Sequence, residues 1–424
     1  MGIGNLIKHQ RIEKGFTQEE LCLGICSVSY LSKIEHSVTI PSREIINLLL
    51  SRLGIQEYDN HEDSNLESRR KMIINIYKGL IEKKNFVEED NILEIFESKL
   101  YIGDNWVLRD LVLVRYNINK RELEKAEIIL SKLSDIIDNC IEQEKFIFFK
   151  NRGLLNYLNS NFTKALIDYN QSKSFITNLN ILDWDIADLY FQLALTNGKL
   201  QKVQNSIEFA SKAIEYFDKD YNFLKSADCQ ILLGISYQRL ENYDAAMKSY
   251  DLALRIAKTF NDTTLMSSIY HNLGYLNSLR DNYMIAVKYF NKSIEIRCGN
   301  DKVIKKNINS ILNTIHSMIQ LHYKEGNVIE VKRFLDMGEE MLEHYNNYPN
   351  LEYKYHFNTY SKLIHNAIDK NHYIESEVLP YFKKKENSRY IYKYSKILAQ
   401  VYEIDRKYKK VSIFIRLQSK LYRL

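Results

Sequence analysis

The stretch LLGISYQRLENYDAAMKSYDLALRI (Leu232–Ile256) returns 40 residues later as NLGYLNSLRDNYMIAVKYFNKSIEI (Asn272–Ile296). Gly234 answers to Gly274, Tyr243 to Tyr283, Ala246 to Ala286 and Tyr250 to Phe290. The stretch GLLNYLNSNFTKALIDYNQSKSFI carries the same spacing through Gly153, Phe162, Ala165 and Tyr169. Self-similarity at one fixed period marks an array of stacked units. Within each unit the pattern predicts a helical hairpin. The glycine lets two helices approach closely. The aromatic nine residues on opens the second helix, the alanine packs it on the first, and the last aromatic fills the gap.

This pattern resembles the tetratricopeptide repeat, an antiparallel helix pair of about 34 residues. Weaker copies fit at Leu123/Ala126, Val203/Ser206, Phe86/Glu89, Val328/Val331, Tyr373/Ser376 and Tyr408/Val411. The expectation is about nine repeats filling the chain from residue 72 to 424, after a linker at 60–71. Stacked hairpins form a right-handed superhelix whose first helices line a concave groove. In this repeat type the positions three and two before the small residue, and one, four and five after it, face inward. They select Asn151, Gln192, Lys199, Gln238, Arg239, His271, Asn272 and Tyr275 as candidate peptide-binding residues. Asn and Gln amides pair with both the N–H and the C=O of an extended backbone, whereas Lys199 and Arg239 suit a carboxylate. The alternative is an ordinary set of solvated polar side chains.

The first 59 residues read differently. An amphipathic helix over Ile3–Lys14 stops at Gly15. Thr17 stands three residues before Glu20, the spacing of a capping box. A short helix follows, then a turn at Gly24, a third helix capped by Ser27 or Ser29, and a fourth after Pro41. The tight second-to-third connection predicts a helix-turn-helix domain of four to five helices over 1–59. The stretch TQEELCLGICSVSYLSKIEHS resembles the Xre, phage-repressor-like class. That resemblance implies that the third helix reads the major groove, through Ser27, Val28, Ser29, Ser32 and Lys33, while Gln18, Arg11 and Arg43 hold the DNA backbone. A helical cap without DNA contact is the other reading. Cys22 and Cys26 lack a matching second pair and read as packing residues.

Composition sets the outer bounds. Three prolines in 424 residues point to an all-α chain. Five scattered cysteines fit a reducing cytoplasm and no disulfide framework. No signal peptide or apolar run of about 18 residues is visible. The net charge of +5 is mild, and acids balance bases over the first 60 residues, so DNA contact must come from placement of a few side chains. There is no P-loop, HExxH or GxSxG, and no cofactor or metal set; His365 and His372 read as surface residues. An enzyme is therefore not expected.

A helix-turn-helix followed by about nine such repeats resembles the RRNPP family of peptide quorum-sensing receptors. The resemblance implies a cytoplasmic homodimer, operator DNA and a short imported signalling peptide as partners, and a tetramer with peptide as a further state. It also implies a second class of function, a protein-interaction switch that binds a phosphorelay response regulator in sporulation control.

Overall fold

The computed structural model describes residues 3–36, 38–55, 63–82, 105–176, 181–299, 301–345, 351–385 and 387–422. Among them there is no strand. Two compact units emerge, Met1–Asn222 and Phe223–Leu424.

The first unit begins with α1 (Ile3–Glu13), α2 (Gln18–Cys22), α3 (Val28–Glu35) and α4 (Arg43–Arg52). The Thr17 hydroxyl accepts from Glu20 N at 3.1 Å, and the Glu20 carboxylate accepts from Thr17 N at 2.7 Å. The capping box expected from the spacing is therefore formed, and it fixes where α2 starts. Ser27 caps α3, its hydroxyl accepting from Tyr30 N at 3.2 Å. Leu6, Ile7, Leu21, Leu31, Ile34, Leu49 and Leu50 are buried and form the head's core. Gly4 lies against the Ile34 carbonyl, where any Cβ would collide with the backbone.

After the head comes α5 (Asp63–Glu82). The linker expected at 60–71 is thus helical from Asp63 onward, and residues 60–62 lie outside the described residues. Three hairpins complete the unit: α6 (Trp106–Asn119) with α7 (Leu123–Ser134), α8 (Glu142–Leu158) with α9 (Phe162–Lys173), and α10 (Asp183–Lys199) with α11 (Val203–Lys219).

The second unit continues the pattern. Its hairpins are α12 (Phe223–Arg239) with α13 (Tyr243–Thr259), α14 (Thr263–Leu279) with α15 (Tyr283–Arg297), and α16 (Asp301–Lys324) with α17 (Val328–His344). Then α18 (Leu351–Ile364) pairs with α19 (Lys370–Tyr373) and α20 (Leu379–Lys384), which a π turn at Ile374–Val378 joins. Finally α21 (Ser388–Ile404) pairs with α22 (Tyr408–Tyr422). Eight hairpins stand among the described residues; the copy expected around Phe86 and Glu89 lies outside them.

The glycine-to-aromatic rule holds at atomic detail. A Cβ on Gly153 would sit 2.7 Å from the Tyr169 ring, and one on Gly274 2.6 Å from the Phe290 ring. Gly234 meets Tyr250 the same way. Gly338 and Phe357 repeat the device between a second helix and the next first helix, a use the 40-residue period does not reveal. The aromatics so placed, Tyr169, Tyr250, Phe290 and Phe357, are all buried. Polar stitches recur beside them: Ser172 Oγ donates to the Phe146 carbonyl at 2.9 Å, and Ser293 Oγ to the Ser267 carbonyl at 2.8 Å.

Candidate DNA-reading head and repeat inner face

One carboxylate organises the head. Glu35, only 1% exposed, ends α3 on the same stripe as Leu31 and Ile34. Arg11 grips it from α1, Nε to Oε1 at 2.6 Å and Nη2 to Oε2 at 3.0 Å. Gln18 Nε2 donates to the same Oε2 at 2.7 Å from the start of α2. The two-pronged geometry orients three helices at once, because a guanidinium matches a carboxylate in only a few arrangements. Arg11 also donates to the Phe16 carbonyl at 2.9 Å. This corrects the expectation for Arg11: its fork is spent inside the head, and it is a strut, not a clamp on DNA. One amide proton of Gln18 is likewise committed to Glu35.

The face expected to meet DNA remains open. Ser27, Val28, Ser29 and Lys33 are exposed, and Ser32 is half-buried. Arg43 is exposed at the start of α4. Val28 holds its apolar side chain in solvent although α3 has a buried side available. Cys22 is buried, its thiol directed at the Glu19 carbonyl at 3.6 Å.

The inner positions of the first unit are not open. Tyr77, from α5, is fully buried against α8 and donates its hydroxyl to Asn151 Oδ1 at 3.3 Å. Asn151 Nδ2 donates to the Leu111 carbonyl at 2.8 Å. Asn151 is thus 0% exposed with both ends of its amide engaged, which corrects its assignment as a ligand-facing residue. Its neighbour Lys150, also 0% exposed, pairs with Asp185 and with Asp188 at 3.0 Å, while Arg115 lies 3.5 Å from Asp188. Gln192 is buried as well, so it too offers no free surface, and Lys199 is exposed at the end of α10. Other residues of α5 extend the covering. Arg70 donates to Gln143 at 2.7 Å, Lys78 pairs with Asp220 at 3.2 Å, and the Leu80 carbonyl accepts from Asn119 at 2.8 Å. The helix α5 thus lies across the inward-facing register of α6, α8 and α10.

In the second unit the same register gathers a polar face. Gln238 and Arg239 sit on α12, and His271, Asn272 and Tyr275 on α14. Gln238 accepts a long contact from the Tyr250 hydroxyl at 3.5 Å. His271 is not a free binding group: Thr314 Oγ1 lies 3.0 Å from Nδ1, and Asn313 Nδ2 donates to Nε2 at 3.1 Å. Burial, with Arg297 and Arg389 adding to it, holds the His271 pKa down at about 3, so the ring is neutral. Thr314 spends its own proton on the Ser310 carbonyl at 2.9 Å, which fixes the proton on His271 Nδ1.

Several residues of this face escape the register as first applied. His316 and Gln320 of α16 hydrogen-bond to each other, and the His316 ring stacks on His356 at 3.9 Å. Carrying the register one hairpin further, to Ile319 as the small-residue position before Val328, selects both. Arg389 and Lys393 of α21 lie outside any position the register names. Arg389 lies over the Tyr275 ring at 5.1 Å. Lys393 lies over Tyr360 at 5.9 Å.

Comparison with known proteins agrees with both halves. A helix-turn-helix family model matches residues 7–59, and tetratricopeptide-repeat models match 187–220 and 226–299. The chain is 30% identical over 406 residues to the "Transcriptional activator NprA" of Geobacillus stearothermophilus, covering 93% of this chain and 97% of that one. It is 21% identical over 239 residues to the "Regulatory protein RapD" of Bacillus subtilis, covering 56% and 66%. Among solved structures, the apo form of the quorum sensor NprR from B. thuringiensis matches with a TM-score of 0.68 and 21% identity, over 84% of this chain and 99% of that one. A Rap protein complexed with competence and sporulation factor matches with a TM-score of 0.66 and 16% identity, over 84% and 98%. No described helix is long and apolar enough to cross a membrane. An Xre-type head joined to stacked repeats, and shared along nearly its whole length with a transcriptional activator, makes this chain a member of the RRNPP family of regulators.

Proposed function

We propose that this protein is a peptide-gated transcription regulator. The head binds operator DNA through α3, and the repeats bind a short signalling peptide whose arrival changes DNA affinity. The observation that carries the reading is the near full-length likeness to a transcriptional activator, taken with an intact head whose α3 face is open. Lys33 and Ser29 supply charge and hydrogen bonds to phosphates and base edges, and Val28 supplies an apolar contact suited to a thymine methyl. A solved NprR is described in complex with its cognate peptide NprX, and this chain takes that fold with a TM-score of 0.60.

The peptide seat is the inner face of the second unit, where Gln238, Asn272 and Tyr275 remain unburied or half-buried. Asn and Gln there hold backbone irrespective of sequence. The working form is a homodimer, since two heads on a two-fold operator match the geometry of helix-turn-helix recognition. Selection of DNA from a randomised duplex pool tests the reading. The expected result is an enriched site bound by the wild type and lost in the Ser29→Ala, Lys33→Ala double variant. Enrichment of no site, with or without a pool of short peptides, would overturn it.

A further inference from the structure

The electrostatic centre of the second unit is Arg389. It acts on Arg239 of α12, His271 of α14, His316 of α16, His356 of α18 and Lys393 of its own helix. Four other first helices therefore carry a titratable group within the field of one guanidinium. Arg389 and Lys393 are four residues apart and share one face of α21. Aromatic rings lie beside both: Tyr275 and Tyr390 for Arg389, at 5.1 and 5.8 Å, and Tyr360 for Lys393, at 5.9 Å. Among the described residues neither cation forms an ion pair with a carboxylate. The acid on the facing helix, Glu352, is turned to His356 Nε2 at 3.6 Å.

For Lys393 this placement is unfavourable without a counter-ion. Burial, and then the charge on Arg389, push the Lys393 pKa well below its ordinary value. Arg239 is lowered too, by burial and then by Arg389. His271, His316 and His356 do not relieve the strain, because they are held neutral and add no negative charge. Arg389 is exposed and Lys393 half-buried, so the two cations stand on the inner face, open to an anion that would neutralise them.

We propose that Arg389 and Lys393 form a carboxylate-binding subsite, with Tyr275 beside it, that anchors an acidic group of the peptide and sets its direction along the inner face. The inference rests on the peptide-gated reading and deepens it. The guanidinium provides two parallel N–H donors and the ammonium a third from the adjacent turn, a geometry matched to one carboxylate. The group is either the C-terminal carboxylate or an Asp or Glu side chain.

The test uses the full chain and four pools of fluorescein-labelled heptapeptides: free or amidated C-terminus, each with or without one fixed Asp. Fluorescence anisotropy reads affinity. A carboxylate should tighten binding by about 10- to 100-fold, the range of a charge-assisted hydrogen bond. Preference for the free C-terminus names one source, and preference for Asp names the other. Arg389→Gln and Lys393→Met should erase the preference while binding of the uncharged pool persists. Lys393→Met should also raise the melting temperature of the ligand-free protein, since it removes an uncompensated charge and keeps the volume. Equal binding of all four pools would overturn the subsite and leave the peptide reading standing. Binding of none would overturn both.

Discussion

The Tyr77 hydroxyl donates to Asn151 Oδ1 at 3.3 Å, across 74 residues of sequence and in the fully buried interior. The bond ties the helix that follows the DNA head to the first helices of the repeats. It also covers a salt-bridged floor of Lys150, Asp185, Asp188 and Arg115. Lys150→Ala leaves the buried Asp185 without a cation and Asp188 with Arg115 alone, and the expected loss is about 3–5 kcal/mol. Chemical denaturation followed by the fluorescence of Trp106 and Trp184, both in this unit, reads it. A loss below 1 kcal/mol would show that solvent already reaches the floor.

The head carries a second such lock. Glu35→Ala frees Arg11 and Gln18 together and should destabilise the head by about 1.5–3 kcal/mol, because a half-buried guanidinium loses its charged partner and keeps only the Phe16 carbonyl. Amide exchange in α1 to α4 should accelerate while exchange in α8 to α22 stays as it was. Uniform change over the whole chain would contradict the local role given to Glu35.

Gly274→Ala sets two effects against each other. Helix propensity favours alanine by about 1 kcal/mol. The new Cβ would lie 2.6 Å from the buried Phe290 ring, and overpacking costs about 1–3 kcal/mol. The clash wins, so the variant melts lower. Adding Phe290→Leu recovers part of the loss by making room, whereas Phe290→Leu alone opens a cavity and destabilises. Thermal melts of the three variants show the sign; a stabilised single glycine variant would refute the close approach.

Acid should weaken the second unit through its buried histidines. His316 is held well below its ordinary pKa by burial and then by His356, and His356 is held at about 4 by burial against an opposing pull from Glu352. The folded state refuses a proton that the unfolded chain accepts below about pH 6.5. The stabilisation is complete above that pH and is lost as pH falls toward 4, by about 1.4 kcal/mol per pH unit for each histidine. Circular dichroism melts between pH 7 and 5 should fall, and His316→Gln should flatten the slope by one proton. An unchanged slope would mean that His316 titrates normally.

Local features were legible in the sequence. The spacing of Thr17 and Glu20 gave the start of α2, and the interval from Gly234 to Tyr250 gave a packing contact between paired helices. Both depend on neighbours a few turns away, where periodicity carries the information. Long-range electrostatics was not legible. Glu35 stands on an apolar stripe at the right spacing to be buried, a usable signal, but nothing local names Arg11 as its partner 24 residues before it. Asn151 occupies an inward position, and only the course of α5 turns inward into covered. Arg389 and Lys393 gain their meaning from four other helices, which no repeat register in a single stretch contains.

Coupling between peptide and DNA is the central claim, and a closed thermodynamic cycle tests it most directly. DNA affinity is measured with and without saturating peptide, and peptide affinity with and without saturating DNA, on the full chain. If the repeats gate the head, both affinities shift by the same factor, about 5- to 150-fold, because linkage is reciprocal. Two affinities that each ignore the other ligand would contradict gating, however tightly either one binds.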